Sequence, residues 1–274
     1  MLRRAALGLA VALLLVGCTA SADRDVLATV GGTEVRADYV QTLMPPKGNR
    51  PVQVAGEPSP VQAALDLAVR DQLLAHEAQR RGLPGETRAE QLAALLAAER
   101  AATPGLEPAS INDAEARAWY ATHREFFDEV ASARASWAEF AKEQPAREAF
   151  QRGSEDGNRR LQDLVSARSE VRRAGVSSIQ HDEGASEMVL RIVNAVRRPA
   201  GLGLDQEPET GSWFLVRVDT LTLEPTPWEP ALADRVRSAM TWEREQDHLA
   251  GLAEGLRKRW PVQIFDDHLQ AVTE

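Results

Sequence analysis

Cysteine is all but absent: Cys18 stands alone in 274 residues. A single thiol forms no internal disulfide, no zinc thiolate cluster and no redox pair. Positive charge is in deficit, with 32 Lys and Arg against 41 Asp and Glu, a formal net charge of −9. Nucleic-acid affinity rests on neutralising phosphates, so this balance argues against a nucleic-acid partner. It also gives no electrostatic pull toward anionic lipid. Long hydrophobic runs are missing too. The longest, residues 5–16, has twelve residues, whereas a membrane-spanning helix needs about 20. There is no phosphate cradle: no strand leads directly into Gly201-Leu202-Gly203-Leu204 and no capped helix follows it. Ser177, Ser178 and His181 do not make a triad by spacing. His181-Asp182-Glu183 and Asp266-Asp267-His268 are runs of adjacent residues, which rarely converge on one metal ion. No cofactor or metal is expected.

What is present begins at the N-terminus. Met1-Leu2-Arg3-Arg4 is cationic, the apolar run follows, and the run ends in Leu15-Val16-Gly17-Cys18. The pattern reads as a secretory signal and not as a span. Its ending resembles the lipobox of bacterial lipoproteins. The resemblance implies removal of residues 1–17, acylation of the Cys18 thiol and amine, and a mature protein facing outward from the cytoplasm. Each buried lipid methylene contributes about 0.8 kcal/mol, so two or three acyl chains anchor stably. Thr19, where an aspartate would signal inner-membrane retention, favours the outer membrane in a Gram-negative envelope. Residues 18–25 would be a tether.

Alanine, leucine, glutamate and arginine dominate, which favours helix. Val26 to Val30 reads as a strand, with a turn at Gly31-Gly32 and a return at Thr33 to Val35. A short helix is expected over 36–43. Seven prolines and glycines between Pro45 and Pro60 predict a loop or flexible arm. Ser59-Pro60 starts a helix that Gly82 ends, Thr87 to Glu90 is a capping box, and Asn112 to Glu115 repeats the spacing. The third helix carries Trp119, Tyr120, His123 and Phe126 or Phe127. Alternation over Ala131 to Trp137 predicts a strand through Phe140. Helices are expected over 145–152, 161–171 and 187–196, with irregular chain over 176–186 and 201–211. Trp213 to Val218, nearly all apolar, reads as a strand buried on both faces. Residues 231–260 read as one long helix whose polar middle, 243–247, is exposed or bent. Val262 to Phe265 is a last strand, suited to pair with Val26 to Val30.

This order of elements, from about Val26 to Leu269, resembles the extracytoplasmic parvulin-type foldases. The opening hairpin corresponds to Leu27-Ala28-Thr29-Val30-Gly31-Gly32. The pattern Ile111-Asn112-Asp113-Ala114-Glu115, with Tyr120 and Phe127, introduces a helix of that family. Trp260-Pro261-Val262-Gln263-Ile264 matches its closing strand. The resemblance implies an α+β fold: a mainly helical chaperone-like domain from both chain ends, residues 26–128 with 224–270. A small parvulin-like α/β domain, residues 129–223, would be inserted into it. The insert departs from the family pattern. Ala135 takes the place of one family histidine and Trp213 that of the other. The Gly-Gly-Asp-Leu-Gly segment has no counterpart between Ser177 and Ser186.

In that family the insert binds an X-Pro bond, whose rotation barrier of about 18–20 kcal/mol makes isomerisation slow. Met188 matches the methionine of the proline pocket, and Phe214 could line the same pocket. A methionine on an apolar helix is more often plain core. The expected function is a membrane-anchored folding factor for exported proteins. With both histidines gone, client binding is favoured over strong prolyl isomerase activity. Unfolded or nascent exported chains with proline-containing segments are the expected partners, with no nucleic acid. The alternative is a structural or assembly lipoprotein with one fixed envelope partner. The proline-rich arm, and the aromatics Trp119, Tyr120, Phe126 and Phe127, are further candidates for client contact. At helical spacing the aromatics also suit a helical interior.

Overall fold

The computed structural model describes residues 24–46, 51–157, 160–165, 170–180 and 185–272. Cys18 and the segment His181-Asp182-Glu183 lie outside the described residues. The fold is mixed α+β. Strands β1 (Val26–Val30) and β2 (Thr33–Arg36) form the opening hairpin. Gly31 and Gly32 turn it at φ 56° and 85°. Gly31 has a second reason to lack a side chain: a Cβ there would lie 2.7 Å from the Trp260 ring. The last strand, β8 (Val262–Ile264), pairs antiparallel with β1, Ala28 facing Ile264 and Val30 facing Val262. The two ends of the chain therefore close one three-stranded sheet, ordered β2-β1-β8.

Helices α1 (Ala37–Leu43), α2 (Pro60–Arg80), α3 (Arg88–Ala102), α4 (Asp113–Thr122) and α8 (Pro230–Leu256) belong with this sheet. Ser59 caps α2 through its side chain, and Thr87 with Glu90 completes a capping box on α3. Asn112 caps α4, accepting from the Glu115 amide at 2.9 Å. Leu27, Val30, Leu65, Val69, Leu73, Leu95 and Leu256 share one apolar core.

The polar middle of α8 is not an exposed break. Glu245 is buried and pairs with Arg100 of α3. His248 meets Glu99 at 2.6 Å, Arg70 of α2 donates to Gln246 at 2.7 Å, and Arg244 pairs with Glu115 of α4. These residues look inward because three helices surround α8 there. Hydrophobic periodicity cannot register an interface made of ion pairs.

The rest of the chain builds a five-stranded antiparallel sheet in the order β3-β6-β7-β4-β5. Its strands are β3 (Gln53–Val54), β4 (Glu129–Phe140), β5 (Val171–Gln180), β6 (Leu202–Gln206) and β7 (Trp213–Glu224). Helices α5 (Glu143–Glu155) and α6 (Leu161–Val165) pack on one face, and α7 (Glu187–Val196) packs on the other. Strand β7 alternates accordingly: Leu215 joins the α5 side, while Phe214, Val216 and Val218 join the α7 side. That two-faced burial explains its continuous apolar run.

Three sequence expectations are corrected here. Val171 does not end a helix and residues 176–180 are not irregular; the segment is edge strand β5, paired with β4 from Ser132–Gln180 to Phe140–Val171. An edge strand wetted by Arg172 and Arg173 loses the apolar alternation that would announce it. Its Gly175 makes room for the Trp137 ring, which would come within 3.0 Å of a Cβ. Residues 202–206 are strand, not loop. The proline-rich arm is not wholly irregular, because Gln53 and Val54 add a fifth strand to β6.

Where the chain passes from helices to sheet and back, Asp128 holds both crossings. Its side chain is fully buried. It accepts from the Thr226 amide at 3.0 Å and from Arg124 at 2.6 Å, and the Tyr120 hydroxyl donates to it. Burial opposes its ionisation, but the hydrogen bonds from Tyr120, Thr226 and Arg124 outweigh burial and hold the carboxyl below its ordinary value.

Glu77, at the end of α2, is the most heavily paired carboxylate of the helical part. Arg80 and Arg81 each donate to it at 2.6 Å, and Arg259 lies at 3.5 Å. Led by the Arg80 hydrogen bond, these partners pull it from 4.5 down to about 2. A depressed carboxylate stabilises the fold above its unfolded value, and the contribution fades as pH falls from 4.5 toward 2. In acid titrations followed by circular dichroism, Glu77→Gln is expected to lose on the order of 1–3 kcal/mol at pH 7. The difference from the parent should vanish by about pH 2.

Candidate functional site

Met188 and Phe214, the two sequence candidates, come together in one apolar cluster. Ser186 caps α7, its side chain accepting from the Val189 amide, and the helix lays Met188, Val189, Ile192, Val193 and Val196 against the sheet. Helix α7 ends at Arg197 in the left-handed region, φ 44°. From there Arg197 donates to the carbonyls of Glu125 and Asp128, each at 2.8 Å, tying the helix end to the start of β4. Phe214 sits beside Trp137, ring centroids 6.2 Å apart. Trp137 in turn donates to Ser177 Oγ at 3.1 Å.

Met188 and Phe214 are 5% and 4% exposed, so both side chains are interior. Val52 and Val54 of the proline-rich arm belong to the same cluster. The arm therefore lies over the α7 side of the sheet edge. Two clefts flank it. One, of about 270 Å³, is lined by Ala55, Arg198, Gly201 and Leu202 among others. The other, of about 260 Å³, lies between the arm and the start of α2, with Val52, Val54, Pro58 and Ala63 on its walls. Neither is lined by Met188 or Phe214.

The two positions read as replacing the family histidines are not neighbours in the sheet. Ala135 faces Val218, while Trp213 faces Phe140 at the far end of the same ladder. Ala135 is fully buried. Of the remaining motifs, Ser177 is taken by Trp137. His268 is buried, its Nδ1 donates to the Val26 carbonyl at 2.7 Å and its ring stacks on Phe265, a structural role. Among the described residues no group of three potential ligands could hold a metal ion.

The aromatic group splits. Phe127 is buried with Ile111, Val236 and Met240. Trp119 stacks on His123 at 4.0 Å, and His123 on Phe126 at 6.2 Å. Phe126 ends this ladder in solvent, 64% exposed. Trp242 of α8 is 65% exposed. Sequence reading passed over Trp242 because the polar stretch that follows it masked the helix phase. It weighed Gly203 only as part of a phosphate cradle, and missed that its lack of a side chain allows α7 to close on β6.

No family model matches the chain, and no curated protein does. Among solved structures, one match comes from work on the SurA-like chaperones PEB4 and Cj1289 of Campylobacter jejuni. It shows 9% identity, covers 88% of this chain and 99% of that one, and has a TM-score of 0.34. The foldase protein PrsA of Lactococcus lactis matches at 12% identity over 90% of this chain and 97% of its own, with a TM-score of 0.24. Both overlays are loose.

A Cβ on Gly203 would lie 2.5 Å from Ile192 and 2.8 Å from Val196. Gly203→Ala is expected to push α7 outward and cost about 1–3 kcal/mol in urea unfolding. Phe214→Ala should cost about 3–5 kcal/mol by opening a cavity in the same cluster.

Proposed function

We propose that the chain is an extracytoplasmic folding factor that binds unfolded segments of exported proteins, held at a membrane by lipid on Cys18. In this reading residues 26–128 and 224–270 form a chaperone-like helical body, apart from β3, which joins the sheet of the insert. Residues 129–223 are a parvulin-like insert whose prolyl isomerase activity is weak or lost. The observation that carries it is the interior of the insert. Met188 on α7 and Phe214 on the sheet are packed shut together with the arm, and fully buried Ala135 offers no polar group to a twisting amide. Rotation about X-Pro is speeded by an open apolar pocket with polar groups around the bond, and these residues do not supply one.

Support for the helical body comes from the pairing of β1 with β8. It lets the insert leave and rejoin at one place, between Asp128 and Thr226. Support for client binding comes from the solvent-facing rings of Phe126 and Trp242. In this reading each ring is a single apolar contact point for an unfolded segment.

The purified protein is expected to suppress aggregation of an unfolded client near equimolar ratio. It should leave cis-trans relaxation of a proline peptide near its uncatalysed time of tens of seconds. Acceleration that disappears in Met188→Ala would instead make the insert an active isomerase. Cys18→Ser is expected to move the protein from the detergent phase to the aqueous phase on Triton X-114 partition. Unchanged partition would rule out the lipid anchor.

A further inference from the structure

The arm reaches the sheet as a strand, and its sequence lets it stay one only briefly. Gln53 faces Leu204 and Val54 faces Gly203, and the Ala55 amide donates to the Leu202 carbonyl at 2.9 Å. Pro51 precedes this stretch; Gly56, at φ 88°, and Pro58 follow it. Proline has no amide to give a ladder, so Pro51 and Pro58 limit how far the pairing can extend. A two-residue ladder is a weak hold on a sheet edge. Beyond it β6 continues through Asp205 and Gln206, which the arm does not pair.

The edge is shaped for particular side chains. Gly203 leaves a gap on the α7 face. A Cβ there would lie 3.3 Å from Val52 as well as against Ile192 and Val196. The valines on either side of Gln53 fill that face, and both are buried. Two cationic side chains flank the strand from outside the core. Arg147 donates to the Gln53 side chain at 3.1 Å, and Arg198 donates to the Ala55 carbonyl. The cleft lined by Ala55, Gly201 and Leu202 opens at the end of this pairing, so a longer strand would find space where the arm turns away.

We infer that the outer edge of β6 is a strand acceptor for extended polypeptide with β-branched apolar residues at alternate positions, and that Val52–Ala55 is its exchangeable intramolecular occupant. An incoming segment would repeat the backbone bonds to Leu202 and Leu204 and place its own alternate side chains over Gly203. Addition of a strand to a sheet edge takes affinity from main-chain bonds and selectivity from alternate side chains. The inference rests on the client-binding reading, and it names the surface and the class of client. While the arm is docked, apparent affinity is lowered by the fraction of time the edge is free.

The test uses a fluorescently labelled peptide with the sequence of residues 51–58, followed by anisotropy. Its control carries proline at the position of Ala55, which removes the donated amide. The purified protein should bind the labelled peptide weakly. Val52→Ser with Val54→Ser, which loosens the arm, should bind it at least about tenfold tighter. The proline peptide should not bind, and an unfolded client should displace the labelled one. Arg198→Ala removes only the exposed clamp on Ala55 and leaves the core intact, so it gives the same direction with a smaller gain, about threefold. If neither variant gains affinity while aggregation is still suppressed, the strand acceptor is wrong and the folding-factor reading stands. If the peptide binds and the variants gain, but no unfolded client competes or is protected, the acceptor stands and the folding-factor reading fails.

Discussion

A buried carboxylate decides how this chain is put together. Asp128 sits just before β4, and Thr226 just after β7. One side chain takes hydrogen bonds from the Thr226 amide, Arg124 and Tyr120, so both crossings are fastened to the same charge. A charge so far from water persists only with full partnership. Arg197 completes the junction from the sheet side, using its guanidinium on the Asp128 and Glu125 carbonyls. The orientation of α7, and hence the closure of the cluster around Met188, follows from this knot. The same demand for satisfied polar groups recurs between α8 and its neighbours, where Glu245, His248 and Arg244 replace an apolar seam.

Elements with a strong local signal were legible in the sequence. The helix starts at Ser59, Thr87 and Asn112 come from side-chain capping, which depends on three or four adjacent residues. The Gly31-Gly32 turn and the β7 run are equally local. The pairing of Val26–Val30 with Val262–Ile264 was legible because both ends show short β-branched strands bounded by glycine or proline. What escaped were features set by distant neighbours. Strand β5 hides behind Arg172, Arg173 and Gly175. Strand β6 hides behind the glycine that lets α7 approach it. Strand β3 hides among prolines and exists only because β6 offers an edge. The inward polar face of α8 carries no periodic signature at all.

The candidate site was half legible. Met188 and Phe214 do share a cluster, as two pocket residues would, but their burial depends on Val52 and Val54 from far earlier in the chain. No local pattern announces that contact. The separation of Ala135 from Trp213 likewise depends on the register of β4 with β7, which alternation alone does not reveal. Just past α4 the aromatic residues divide: Phe127 turns into the cluster with Val236 and Met240 of α8, and Phe126 turns to solvent.

The closure of β1 by β8 has a consequence for the order of assembly. Strand β1 (Val26–Val30) is translated well before its partner, Val262–Ile264. At about 5–20 residues per second, it waits on the order of 10–50 s for that partner to be made. The five-stranded sheet draws most of its ladders from the continuous stretch 129–224, so it can mature while the helical part is still open. Until the final strand arrives, the β1 edge and the apolar faces of α2 and α3 lack their covering. The nascent chain is thus itself, for a time, an unfolded client with a bare sheet edge.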